Sequence, residues 1–321
     1  MSSKASSAPA KQRHRKRLCT VGRLTIDDLV FWPSGRTLIG QPGGNSLYSA
    51  LGARIWTSDV WAITRQGRDY PVDRVQQVMS RVHLVLIPVD APSMSAWGLY
   101  EGNGDRQWLP HPESGTQDQM TPRPDELPID LLTCEAFHIA SMSPELQIAW
   151  AVQLQREGTV ISADSMPVEV VGSGSAAGID RHASLLSLVD FYLPSSVEAR
   201  VMFGSDNPEA AAKAFANSGP RAVVVKLGPE GCLVYDALSG QVAHVPAFGS
   251  AVDPTGAGDA FCGGFLAGYV STGDAIAAAQ YGSVSASFAV ESVGMASLMD
   301  PDLNSLDERL ATVRQGTSLG Q

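Results

Sequence analysis

The sequence predicts one doubly wound α/β domain, a mostly parallel sheet with helices on both faces, carrying a small β-sheet lid. Two observations lead there. Short apolar runs that read as strands alternate with longer runs that read as helices from Leu18 to about Val313, with no linker or internal repeat between them. A third stretch, 97–109, breaks the alternation: two extended pieces flank Asn103-Gly104, a hairpin signal, so this part should project from the main sheet.

Taken in order, residues 18–22 form a first strand ending in glycine, with Asp27 and Asp28 just beyond it. Residues 29–32 and 37–40 are short extended pieces around Pro33-Ser34-Gly35. Gly43-Gly44-Asn45-Ser46 leads into a buried helix over 47–56. A strand at 59–64 and a helix at 72–81 follow. Then comes the continuously apolar run 82–87, the pattern of a strand inside a parallel sheet. The proline-rich stretch 111–128 reads as connection. Strands at 137–140 and 159–163 enclose a helix at 144–157. A strand at 189–193 precedes a helix bearing Glu198, and an alanine-rich helix at 207–218 precedes a strand at 222–227. A turn at Gly228-Pro229-Glu230-Gly231 returns the chain through 232–235. Helices at 260–270, 274–290 and 303–313 complete the series, and 315–321 reads as a loose tail.

Composition sets limits. Hydrophobic residues at 44% and charged ones at 17% over 321 residues describe a soluble globular chain with a sizeable core. No apolar run approaches the roughly 20 residues of a membrane span. Six bases, Lys4, Lys11, Arg13, Arg15, Lys16 and Arg17, crowd a tail (1–17) that reads as disordered and lacks the apolar core of a secretory signal. The remainder holds 17 Lys and Arg against 33 Asp and Glu, a formal charge of −16. So acidic a body is a poor partner for nucleic acid, and any phosphate must be held locally. Four widely spaced cysteines without metal-binding spacing read as buried free thiols in a reducing cytoplasm.

The chemistry concentrates at Val252-Asp253-Pro254-Thr255-Gly256-Ala257-Gly258-Asp259-Ala260-Phe261. Gly256, Ala257 and Gly258 let a ligand approach their backbone N–H groups closely. At a helix start those donors make an anion site. Asp259 sits in the first turn of the same helix. A carboxylate beside an anion cradle suits phosphoryl transfer to a hydroxyl, with Asp259 accepting the proton. The run is a poor dinucleotide fingerprint, because Phe261 stands where the third glycine belongs, and the chain has no Walker-A sequence. Other candidates fall near the carboxyl ends of strands: Asp27, Asn45, Glu198 and Gly228. Each taken alone reads as readily as a turn or cap residue.

With these motifs in order, the chain resembles the ribokinase/PfkB family of sugar and nucleoside kinases over nearly its whole length. The resemblance implies a ribokinase-like fold over 18–314, with a lid from about 29–41 and 97–109. It implies Asp259 as catalytic base, with Gly256, Ala257 and Gly258 as anion hole. Asp27, Gly43, Gly44 and Asn45 become substrate residues, and Lys226, Gly228, Gly231 and Ser283 belong to the nucleotide site. Glu198 becomes the partner of Mg²⁺ through water, and Asp253 a residue near a monovalent cation, potassium. ATP and a small polyhydroxylated acceptor follow as ligands, and a homodimer through the lid as assembly. Three positions depart from the family's usual asparagines: Tyr48, Ser195 and Ser283. A nucleoside acceptor is the alternative within the class, with Tyr48, Trp97, Tyr100 and Trp108 available as a platform for its base. A sugar-binding relative without turnover is the alternative outside it.

Overall fold

The computed structural model describes residues 16–32, 34–101, 106–165 and 182–320. Its strands are β1 (Leu18–Val21), β2 (Thr25–Phe31), β3 (Arg36–Gly43), β4 (Val60–Gln66), β5 (His83–Pro88), β6 (Met94–Tyr100), β7 (Arg106–Pro110), β8 (Ala136–Ile139), β9 (Val160–Asp164), β10 (Phe191–Leu193), β11 (Ala222–Lys226), β12 (Cys232–Asp236), β13 (Val242–Val245) and β14 (Ser318–Leu319). The longer helices are α1 (Asn45–Arg54), α2 (Val72–Met79), α3 (Pro144–Leu154), α4 (Ser196–Phe203), α5 (Pro208–Ala216), α6 (Ala257–Thr272), α7 (Ala275–Ala289) and α8 (Leu306–Gly316).

Ten strands form the main sheet in the order β14-β13-β12-β11-β10-β9-β8-β1-β4-β5. From β11 to β5 all neighbours run parallel, and β12, β13 and β14 add on antiparallel. Helices cover both faces, because nearly every central strand is buried on both sides. On one face α1, α6 and α7 bring Leu47, Leu51, Phe265 and Phe288 into the core. On the other, α3 presents Trp150 to Phe137 and Ile161, and α5 presents Phe215 to Tyr192 and Val223. The architecture is the predicted doubly wound one.

The second sheet has four strands in the order β3-β2-β6-β7, with β2 and β6 parallel and the outer pairs antiparallel. It is larger than the two segments predicted: β2 and β3 begin and end several residues further out, so Asp27 lies within the lid sheet itself. A register shift between Asp27 and Leu29 bends β2 there.

Three expectations need correction. The 82–87 run does not lie inside the sheet; β5 is its edge, apolar from Leu84 to Ile87 because Leu84 and Leu86 face one core while Val85 and Ile87 face the other. The 111–128 connection contains a short helix, Gln117–Met120, nucleated by a capping box between Thr116 and Gln119. The tail is not loose either. β14 pairs with β13, and Gly320 N–H donates to the Val242 carbonyl (2.7 Å), satisfying an edge that β13 would otherwise present to solvent. The Asn103-Gly104 turn, Pro33 and positions 1–15 of the basic tail lie outside the described residues. Among the described residues no helix is long and apolar enough to cross a membrane, and all four cysteines are buried free thiols.

Candidate active site

The Asp253–Asp259 segment enters α6 through Gly256, which adopts a left-handed conformation (φ 72°) as N-cap. A Cβ there would sit 2.1 Å from the Tyr48 ring, so only glycine fits both the backbone and the packing. Ala257 N–H donates to the Pro254 carbonyl (3.3 Å), which turns it toward its own loop. The outward-facing cradle therefore rests on Gly256 and Gly258. Asp259 is half-buried in the first turn of α6. Burial, then the neighbouring Asp164, push its pKa up to about 7, against the opposing pull of Lys226 and Arg23.

Two cavities meet at this helix start. One, about 400 Å³, is lined by Lys226, Gly228, Gly231, Pro254, Gly258 and Ser283, with Phe248 and Phe261 among its apolar walls. The other, about 280 Å³, is lined by Asp27, Gly44, Asn45, Tyr48, Gly256 and Asp259, with Met94, Ala96, Trp108 and Pro110 of the lid sheet opposite. Both open at the carboxyl ends of the parallel strands, where such sheets bind ligands. A larger depression of about 660 Å³ lies around Arg156, Asp190 and Arg221, near the amino ends of β9 to β11 and away from all these groups.

In the smaller cavity, Asp27 is buried, and its pKa is raised to about 6 chiefly by that burial. Gly43 packs directly on it: a Cβ would come 2.0 Å from Asp27 Oδ2. Asn45, first residue of α1, uses its amide as a brace. Its Oδ1 accepts from Arg23 N–H and its Nδ2 donates to the Ser141 carbonyl, both at 2.8 Å, tying the β1–β2 and β8–α3 loops together. Of the four aromatics considered for a base platform, Tyr48 and Trp108 line this cavity. Trp97 instead stacks on His111, and Tyr100 turns its hydroxyl to Asp253.

On the other side, Lys226 ends β11 and donates to Asp164 Oδ1 (2.7 Å) at the end of β9. Burial alone would discharge this ammonium, but the fields of Asp164 and Glu198 outweigh it and keep it charged. Asp164, Glu198 and Asp259 thus crowd around one lysine. For Asp164 burial raises the pKa, with Glu198 adding to it and Lys226 opposing. With Arg23 also acting on Asp259, the three carboxylates share this region with two bases; among the described residues no group of three or more His, Cys, Asp or Glu side chains is placed to hold a metal ion. Glu198 also caps its helix: Oε2 accepts from Ser195 N–H (2.7 Å) while Ser195 Oγ accepts from Glu198 N–H. Ser283 donates to the Pro246 carbonyl (2.6 Å). Ser195 and Ser283 therefore both have ordinary structural work.

Asp253 is buried, and at least three protein donors reach it: Tyr100 OH, Thr255 N–H (2.9 Å) and Gly294 N–H (3.2 Å). Sequence reasoning passed over Arg23 and Asp164, and considered Tyr100 only as a platform for a base. Arg23 is nearly enclosed, with burial lowering its pKa to about 10 against the opposing field of Asp259. The signal for Arg23 and Asp164 was available, since each is a lone charge where a strand of apolar residues ends.

The sequence pattern of the pfkB family carbohydrate kinases matches residues 42–302. A cytidine kinase of Thermococcus kodakarensis is 30% identical over 258 residues, covering 78% of this chain and 88% of that protein. A ribokinase of Haemophilus influenzae is 22% identical over 87% of this chain and 94% of its own length. Among solved structures, an E. coli protein in complex with ATP and Mg²⁺ superposes with a TM-score of 0.72 at 22% identity, covering 92% of this chain and 99% of that one. The adenosine kinase of Sinorhizobium meliloti gives 0.73 at 16%, covering 94% and 99%. With its fold, its helix-start motif and these matches taken together, the chain belongs to the pfkB family of carbohydrate kinases.

Proposed function

We propose that this protein transfers the γ-phosphoryl group of ATP to a hydroxyl of a small, neutral, polyhydroxylated acceptor. The observation that carries the reading is the position of Asp259 and the Gly256–Gly258 backbone at the junction of two cavities. ATP occupies the larger one, its phosphates reaching Lys226 and the amides of Gly256 and Gly258. The acceptor occupies the smaller one, its hydroxyls held by Asp27 and oriented by the loop that Gly43, Gly44 and Asn45 form. Asp259, with a pKa near neutrality, takes the proton of the attacking hydroxyl. The amides and Lys226 stabilise charge on the phosphoryl group in flight. The two carboxylates facing the acceptor, Asp27 and Asp259, argue against an anionic one.

Glu198 and Asp164 fit as the residues that hold Mg²⁺ through water, and the ion, when bound, supplies neutralising charge at the phosphates. Asp253, expected near a monovalent cation such as potassium, is held by Tyr100 OH, Thr255 N–H and Gly294 N–H, and no step is assigned to that cation. The lid keeps water from the phosphoryl group. Its outer residues Trp32 and Ile39, 71% and 58% exposed, offer a surface for a homodimer. Four reduced thiols and an acidic body agree with a cytoplasmic enzyme without nucleic-acid or membrane partners.

A nucleoside is the second reading of the acceptor. Met94, Trp108 and Pro110 give the smaller cavity an apolar wall of the kind a base needs and a free sugar does not. ADP release measured across a panel of sugars and nucleosides tests both. Turnover confined to nucleosides selects the second reading, and saturable binding without ADP release from any acceptor selects the non-catalytic relative. Asp259→Asn should abolish turnover, by at least about a thousandfold, with ATP binding retained. Undiminished phosphorylation by that variant removes Asp259 from the role of base.

A further inference from the structure

We propose that Tyr100, a lid residue, is a positioning residue for phosphoryl transfer: its hydroxyl fastens the lid to the loop that carries Gly256 and Gly258. Tyr100 ends β6 and stacks on Phe31, which ends the neighbouring β2, with ring centroids 5.0 Å apart. Its carbonyl accepts from Trp32 N–H (2.8 Å), so the ring is held by both strands of the lid's centre. From there the hydroxyl crosses to the main domain, 3.1 and 3.2 Å from the two Asp253 oxygens and 2.7 Å from Thr255 Oγ1. A carboxylate can only accept, so the phenol donates to Asp253 and accepts from the Thr255 hydroxyl.

Asp253 is the anchor of the loop. It is 1% exposed, and it accepts from Thr255 N–H on one oxygen and Gly294 N–H on the other. Thr255 is the residue before Gly256, the N-cap of α6. A force on Asp253 or Thr255 therefore changes where the Gly256 and Gly258 amides point. The lid thus does more than exclude water: seated, it sets the direction of the donors that receive the phosphoryl group.

This inference rests on the proposed kinase reading for its kinetic consequence and on geometry alone for its structural one, so the test has two arms. Amide hydrogen exchange on full-length protein should show residues 253–259 exchanging at least tenfold faster in Tyr100→Phe, with β1, β8 and β9 unchanged. With an acceptor found by the panel above, the same variant should lose ten- to a hundredfold in kcat with the ATP KM within twofold. The double variant Tyr100→Phe/Asp253→Asn should lose no more than the worse single one, because both act through one contact. Unchanged exchange at 253–259, a kcat within twofold of the parent, or additive losses in the double variant would each overturn it. If Tyr100→Phe does not fold, Thr255→Val removes the 2.7 Å contact and is held to the same three criteria. A parent that turns over no acceptor defeats the kinase reading, and the exchange arm still decides the contact.

Discussion

In the proposed reaction, Asp259 carries its activity and its cost in the same carboxyl. Its pKa near 7 means that activity, as kcat, should rise about tenfold per pH unit up to roughly neutrality and then level, a limb that pH–rate profiles will show. Stability responds to the same group. Asp27 and Asp259 hold protons in the fold at pH values where the unfolded chain has lost them, so their contribution falls as pH rises from about 4 to about 7. The buried His138 and His182 do the reverse: burial holds their pKa values down at about 3 and about 4, so their contribution rises over much of the same window. The buried Asp164, its pKa also raised, adds a further falling contribution, so the two sets of groups oppose one another across this range. Asp259→Asn removes one falling contribution, so its thermal midpoint should climb relative to the parent's between pH 5 and 6.5. The carboxyls themselves were legible in the sequence because they follow apolar runs; their altered acidity was not, because it comes first from burial, with Asp164 adding to it at Asp259 against Lys226 and Arg23, and only the fold brings these about.

At the scale of elements, helix starts do most of the positioning. The capping box of α4 aims Glu198, so Ser195→Ala should cost about 1 kcal/mol of stability and weaken Mg²⁺ dependence, which denaturant melts and a Mg²⁺ titration will measure. In the lid, Trp108→Ala should raise the acceptor KM about tenfold and leave the ATP KM unchanged. Central strands and long helices were readable because both-face burial and apolar periodicity are local properties. Strand β14 was not: two residues acquire strand geometry only because β13 offers them a partner. The extent of β2 and β3 was hidden for a similar reason, since Asp27 and Gln41 pair across the sheet without any apolar signature.

Across the whole molecule, the sheet of ten strands holds through burial on two faces, and its rim is held by chain ends. Removing residues 317–321 should bare the β13 edge, lower the thermal midpoint by a few degrees and promote association at high concentration, as melting and light scattering will show. The walls of the smaller cavity come from two parts of the fold: Gly256 and Asp259 from the start of α6 in the main domain, Met94, Ala96, Trp108 and Pro110 from the lid sheet. In the proposed reading, the lid wall that meets the acceptor is therefore distinct from the helix start that carries Asp259, although Tyr100 links the two. On that reading, changes confined to the four lid side chains should alter which acceptor is bound while leaving the Asp259 and Gly256–Gly258 groups in place, so the lid is where a designer should begin.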